Sequence, residues 1–531
     1  MSATASGHGV AVLGNGPVGQ TTALLLAKRG VPVVLVDERA GRDLVGSKAI
    51  CQQRDVLDVW EAVGAGRRIA EEGVTWTTSR TFHRAEELFA QRIADPGRSA
   101  FPPFVNLSQA RTEEILDERI AAEPLIDVRW GHRVTGIEQD AGGVAVRFDG
   151  RPEVRAGYAV ACTGARGGDV RRMLGVDFGG HSFDDRFLIC DIRADLAGWA
   201  NERRFYFDPP WNPGRQVLIH PCPGSTFRID WQVPGDYDLA AEESGGALDA
   251  RVRAIIGDRP YEIVWKSVYR FQARIADRMR VGRVLLAGDC AHLVAPFGAR
   301  GLNSGVGDAE NAAWKLAFVM AGWAGENLLE SYHEERHAAA VENLDVTTET
   351  MNFLVPQREE HRLRRLSVLS AAAADPAARA RVDSGRLAEP FWYDGSSLTT
   401  PDAERPFAGR PPRGAVPVAG PGILVPDAPV SCGRFREVAR EGLLVLAAPG
   451  ADLEVVRSAA KAVAAPVRSL ELSEVDDTGV LAEALGAKPG ELWVIRPDAY
   501  AAAVLRAPCH ADLAGALRRA LGGAYASGAL S

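Results

Sequence analysis

Three glycines in the run Gly14-Asn-Gly16-Pro-Val-Gly19 have the spacing that holds a dinucleotide pyrophosphate. Gly14 permits a tight turn, Gly16 lets backbone approach the phosphates, and Gly19 lets the next helix pack closely on the preceding strand. Pro17 and Val18 stand at the start of that helix, where amides face an anion. A second apolar run, Val33-Val-Leu-Val36, ends in Asp37 and Glu38, eighteen and nineteen residues past Gly19. Either carboxylate can accept the ribose hydroxyls, and spacing alone does not separate them. Far along the chain, Val284-Leu-Leu-Ala287 delivers another acid, Asp289, directly after Gly288, with His292 three residues on. His292 reads as a packing or hydrogen-bonding histidine rather than a base.

These residues need strands to carry them and helices to cap them. From Val10 to about Gly175, β-branched runs alternate with helical segments, an α/β pattern. From about Asp177 to Arg270 the texture becomes antiparallel: Val217-Leu-Ile-His220 and Phe227-Arg-Ile-Asp-Trp-Gln-Val233 flank the turn Pro221-Cys-Pro-Gly-Ser225. Alternation puts Phe227, Ile229, Trp231 and Val233 on one face and Arg228, Asp230 and Gln232 on the other. Beyond Val281 a strand leads into helix, with Val306, Ala309, Ala313, Leu316, Ala317 and Met320 at helical spacing. Eight prolines between Pro401 and Pro429, among them Pro411 and Pro412, are too dense for a helix or central strand. Past them, Leu443-Leu-Val-Leu-Ala447 and Leu492-Trp-Val-Ile495 predict a small second α/β unit.

Composition bounds the partners. The 531 residues are 46% apolar, and 69 acids against 61 bases leave a net charge of −8 with no basic block. That argues against a nucleic-acid binder. No run approaches the roughly 18 apolar residues of a membrane span. No basic and apolar leader opens the chain, and its seven cysteines lack any C-x-x-C pair. The expectation is a cytoplasmic protein with reduced thiols and no metal.

The second block extends into a longer pattern. Gly282-Arg-Val-Leu-Leu-Ala-Gly-Asp-Cys-Ala-His292, Pro296-Phe-Gly-Ala-Arg-Gly-Leu-Asn303 and Asp308-Ala-Glu-Asn-Ala-Ala-Trp-Lys-Leu316 follow one another. They resemble the Gly-Asp region of the class A FAD-dependent aromatic hydroxylases, the para-hydroxybenzoate hydroxylase family. Val494-Ile-Arg496-Pro-Asp498-Ala-Tyr500 is similar to the V-R-P-D-G-Y of members with a thioredoxin-like C-terminal domain, such as phenol hydroxylase and 3-(3-hydroxyphenyl)propionate hydroxylase. The resemblance implies a Rossmann-like FAD-binding domain (1–176 and, with helices, 276–395) and an inserted antiparallel β-sheet substrate domain (177–275). A Pro-rich linker (396–430) and a small thioredoxin-like α/β domain (431–531) follow. That last domain lacks a redox C-x-x-C and is expected to be structural or dimerising.

The resemblance also implies roles. Asp289 would bind the ribityl chain, with Gly288 before it. Pro296, Gly298, Gly301, Leu302 and Asn303 would lie against the isoalloxazine. Arg54 would sit near the pyrophosphate, and Gln109 would contact the flavin. The family's acid usually precedes a basic residue, which tilts the ribose contact toward Glu38, followed by Arg39. Gly164 belongs to a segment where Thr163 replaces a family Asp and one residue is inserted, which places the handling of NAD(P)H in question. The implied activity is NAD(P)H- and O2-dependent hydroxylation of a phenolic or polycyclic aromatic through a C4a-hydroperoxyflavin, in a homodimer. The alternatives are Baeyer–Villiger oxygenation by the same flavin, or a non-catalytic flavin sensor. For substrate, the strand residues Tyr206, His220, Arg228 and Trp231 come first, with Pro296; His220 and Arg228 are the catalytic candidates, and Arg228 and Trp231 cannot share one pocket.

Overall fold

The computed structural model describes residues 9–43, 45–46, 48–93, 95, 97–410 and 417–523. The chain opens with β1 (Val10–Leu13), α1 (Pro17–Lys28) and β2 (Val33–Val36), followed by α2 (Gln109–Ala121) and β3 (Tyr158–Ala161). β1 lies between β2 and β3 and is parallel to both, in the centre of a six-stranded sheet. All four β1 residues are buried, as strands covered by helices on both faces must be. Ser108 caps α2 by accepting the Arg111 amide.

The chain then leaves this sheet for β4 (Phe178–Ala194), β5 (Glu202–Phe207), β6 (Gln216–Cys222), β7 (Thr226–Val233) and β8 (Tyr261–Ala276). β6 and β7 form the expected hairpin, with His220 opposite Arg228. The sheet they build has eight strands, because β5 also pairs in parallel with Thr78–His83, which pairs with Glu86–Arg92, and at the other edge β8 pairs with His292–Leu293. The antiparallel unit is therefore not confined to 177–275. Residues 78–92 carry only weak strand alternation, and a parallel partner more than a hundred residues away leaves no local trace.

The return is β9 (Val284–Leu286), parallel to β3, then α3 (Arg300–Met320) and α4 (Asn327–Leu354). Ala299 precedes α3 in the left-handed region, at φ 59°. Asn303 fixes that turn, donating to the Ala299 carbonyl at 2.5 Å.

The tail is β10 (Leu443–Ala447), β11 (Val467–Glu471), β12 (Glu491–Ile495), β13 (Ala501–Arg506) and α5 (His510–Ala520). The strand order β11-β10-β12-β13, with only β10 and β11 parallel, is the thioredoxin arrangement. The Pro-rich stretch contains no helix or strand among its described residues before Pro429. It is not a detached tether, however: Leu398, Leu424, Val425 and Ala428 are buried against the tail. Pro411 and Pro412 lie outside the described residues.

Candidate active site

One cavity of about 630 Å³ runs between the end of β1, the loop before α3 and a face of the eight-stranded sheet. The three glycines of the first turn divide their work visibly. A Cβ on Gly14, which has φ 112°, would meet the Cys162 carbonyl oxygen at 2.2 Å, and one on Gly19 would meet that of Gly14 at 1.8 Å. One on Gly16 would meet nothing within 4 Å. The outer glycines thus serve packing, while Gly16 leaves open space beside backbone amides, with Gly14, Pro17 and Val18 also on the wall. A pyrophosphate fits that cradle.

Asp37, Glu38 and Arg39 all reach the cavity. Asp37 is the acid folded against the glycine turn: it accepts the Asn15 amide at 2.8 Å and the Arg39 amide and guanidinium. Burial alone would raise its pKa, but the bonds from Arg39 and Asn15 outweigh burial and hold it below the usual range. Glu38 instead points to Arg166, 3.4 Å away. Of the two acids, then, the one that follows β2 directly is turned toward the glycine loop and the next toward Arg166.

Asp289 projects into the cavity and makes no hydrogen bond to the described residues; its surface is open to that void while protein encloses it. Burial raises its pKa, against the charges of His292 and Lys48. Gly288 lies beneath the wall rather than on it: its amide donates to Asp308 Oδ2 at 2.9 Å. The same oxygen binds His292 Nε2 at 2.8 Å, so His292 is a hydrogen-bonding residue of the interior. Pro296, Gly298, Gly301 and Leu302 line the cavity, whereas Asn303 ties α3 to the strand Cys51–Gln53 through the Gln53 amide and the Cys51 carbonyl. A Cβ on Gly298 would strike the Arg386 carbonyl at 2.0 Å.

Gln109 and Gly164 are on the wall; the Gln109 side-chain oxygen accepts the Ala49 amide at 3.2 Å. Arg54 is not on it. Its guanidinium bonds the Phe101 carbonyl and Asp95, which turns it away. Lys48 and Ala49 occupy the cavity edge instead, and the sequence reading missed them. Thr163 lines the cavity too, its hydroxyl donating to Cys290 Sγ at 3.2 Å.

The sheet supplies the opposite wall. Phe187 stacks on Phe271 with centroids 4.5 Å apart, and Phe297 stands edge-on to both. His220 and Arg228 lie on this wall, joined by Arg203, which strand alternation alone could have flagged through its shared face with Phe205. Trp231 is fully buried on the other face of the sheet. Tyr206 also faces away, stacked on Phe82 with its hydroxyl accepting from Arg204. Both fall outside the cavity because their positions have the opposite parity.

The model of the FAD binding domain family matches residues 8–347. The chain belongs to that family. This FAD-binding protein is 31% identical, over 75% of its length and 69% of the relative's, to a 3-(3-hydroxy-phenyl)propionate/3-hydroxycinnamic acid hydroxylase of Mycobacterium sp. (strain JLS). It is 34% identical to a flavin-dependent monooxygenase of Mycobacteroides abscessus, over 64% of this chain and 73% of that one. Among solved structures, the flavin-dependent monooxygenase PieE, in complex with FAD and substrate, superposes with a TM-score of 0.84 at 24% identity. It covers 98% of this chain and all of its own. Aklavinone-11 hydroxylase, solved with FAD and aklavinone, gives 0.77 at 23% identity, over 97% and 99%. The FAD-binding protein is thus a flavin-dependent monooxygenase, and FAD is its cofactor. Among its described residues no helix is long and apolar enough to cross a membrane.

Proposed function

We propose that this monooxygenase hydroxylates a phenolic, mono- or polycyclic aromatic substrate, with NAD(P)H as reductant and O2 as oxidant. The observation that supports this reading most is the continuity of one cavity: the glycine turn and Asp289 at one end, the Phe187, Phe271 and Phe297 rings at the other. Bound FAD, once reduced by NAD(P)H, supplies activation of O2 and delivery of one oxygen atom to the ring. The chain's own residues do the rest. The Gly14–Gly19 turn and the α1 amides hold the pyrophosphate, Asp37 the ribose, Asp289 the polyol chain, and the Pro296–Leu302 segment the ring system. The phenylalanine cluster packs the aromatic substrate and excludes water. The relatives' names support the aromatic class, 3-(3-hydroxy-phenyl)propionate and aklavinone bracketing small and polycyclic rings. Seven free cysteines support a cytoplasmic location.

The test is incubation of the FAD-loaded protein with NADH or NADPH, 18O2 and a panel of phenols, naphthols and polycyclic phenols. One 18O on a ring carbon of the product, with substrate-stimulated NAD(P)H oxidation, is the expected result. A ring-expanded lactone would replace hydroxylation by Baeyer–Villiger insertion, and FAD binding with no product from any substrate would remove the catalytic reading.

A further inference from the structure

A short return crossing joins the antiparallel sheet to the flavin sheet. β8, which carries Phe271 on the cavity wall, ends at Ala276; β9, which leads to Gly288 and Asp289, begins at Val284. The residues between them therefore fix how far the aromatic wall stands from the flavin turn. Backbone bonds pin this segment at three points. The Ala276 amide donates to the Ala291 carbonyl at 2.8 Å, the Asp277 amide to the Asp177 carbonyl at 3.0 Å, and the Met279 carbonyl accepts the Leu286 amide at 2.9 Å. Asp177 stands in the outward crossing, just before β4, and its own amide donates to Asp277 Oδ1 at 3.0 Å, so the two crossings are tied together.

The Met279 amide is held by a side chain instead. It donates to Nδ1 of His333, on α4, at 3.2 Å, and Met279 is fully buried. An imidazole accepts at Nδ1 only as the neutral ring with its proton on Nε2. Once protonated it has no lone pair left, and an N–H would face the amide N–H. One helical turn on, the ring of His337 lies with its centroid 5.0 Å from that of His333. Burial first lowers the His333 pKa, helped by Arg278 and opposed by Glu330, Asp277 and Glu334. Those acids are engaged: Glu330 pairs with Arg280 at 2.8 Å, Asp277 with Arg278 at 3.3 Å, and Glu334 accepts the Ser397 amide at 2.6 Å. Burial, then His333, also lowers the His337 pKa, with His292 in the same direction; the Ala276 backbone and Asp277 act against it.

We propose that His333 is a positioning residue: neutral, it clamps the return crossing and keeps the aromatic wall set against the flavin turn, and a proton on Nδ1 releases the clamp. A histidine whose pKa is lowered in the clamped state supports that state fully above its ordinary value, about 6.5, and the support is lost as pH falls below it. The consequence for turnover rests on the aromatic-hydroxylase reading, which puts the substrate on the Phe271 wall. The clamp itself does not.

Hydrogen exchange of the FAD-loaded protein, followed by mass spectrometry in the peptide containing Met279 and corrected for the exchange of the unstructured chain at each pH, tests the clamp. Protection of that peptide should fall by about threefold or more between pH 7.5 and 5.5, while peptides of α1 keep theirs. His333→Asn offers an amide oxygen that does not titrate, so it should keep the protection at both pH values; His333→Leu should lack it at both. Protection unchanged in the wild type, or falling equally in His333→Asn, overturns the proposal, and if His333→Asn does not load FAD the wild-type comparison decides alone. With a substrate from the product panel, the yield of hydroxylated product per NAD(P)H oxidised should fall over the same interval in the wild type and hold in His333→Asn. A yield that does not follow the protection overturns the positioning role. A panel without product removes the activity reading and leaves the exchange result to judge the clamp.

Discussion

The middle and last glycines of the turn separate cofactor binding from folding. Gly16 is extended (φ −92°, ψ −178°) with open space at its Cβ, so Gly16→Val should leave the flavin-free melting temperature unchanged and weaken FAD binding by tenfold or more. Gly19→Val must push against the Gly14 carbonyl and should destabilise the flavin-free protein by about 1–3 kcal/mol. Parallel thermal melts and FAD titrations check both, and equal melting of the two variants would refute the division. Asp289→Ala belongs with Gly16: the carboxyl makes no hydrogen bond to the described residues, so its removal should cost flavin affinity and leave the apo fold intact. A flavin titration identical to wild type would show that Asp289 does not touch the cofactor. The places of these residues were legible in the sequence because each lies within a few residues of its own strand end. Arg54 was misread for the complementary reason. Its motif is local, but its direction is set by the Phe101 carbonyl and Asp95, which no spacing rule reveals. Lys48 reaches the cavity from outside any strand, and which face of the sheet borders the cavity, and so on which side Arg203, Tyr206 and Trp231 fall, shows only once the fold is assembled.

Between elements, α3 and α4 carry a buried polar chain from the flavin turn to the tail. Asp308 on α3 accepts the Gly288 amide, His292 and Arg336 of α4; Arg336 donates to the Tyr393 hydroxyl. Glu335, also on α4, takes Lys315 at 2.6 Å, Ser396 at 2.6 Å and the two terminal guanidinium nitrogens of Arg496, which in turn holds Asp498. Trp314 closes the chain by donating to Asp498 at 3.0 Å. Burial works to raise the Glu335 pKa, but Arg496 and Lys315 overcome it and leave it far below the usual range. A depressed carboxylate stabilises the fold fully above its unfolded pKa, about 4.3, and that contribution drains away as pH falls below it. Glu335→Gln leaves two buried cations short of an anion and should cost about 3–5 kcal/mol at neutral pH. It should also flatten the loss of melting temperature between pH 5 and 3. An unchanged acid slope would locate that sensitivity elsewhere. The helix α3 was readable from its spacing, and Arg496 and Asp498 from their motif; that Arg496 meets Glu335 across 161 residues was not.

At the scale of the molecule, the tail shares a core with the flavin-binding part. Trp314 and Phe318 of α3 and Leu328 of α4 pack in one cluster with Leu443 and Val445 of β10, Leu492 of β12 and Leu517 of α5. A unit with its own closed core could unfold alone; one that covers its neighbour's tryptophan cannot do so without exposing it. Leu517→Ala, more than two hundred residues beyond the flavin loop, should therefore cost about 2–5 kcal/mol. It should shift a single calorimetric transition that includes flavin release, rather than detach a first, tail-only transition. Two resolved transitions, with flavin fluorescence rising only in the second, would show that the tail folds independently. If the single transition holds, the last fifth of the chain has a function without any chemistry of its own. It buries the apolar side of α3 and keeps Asp308 placed under Gly288, so that the turn bearing Asp289 stays set against the cavity.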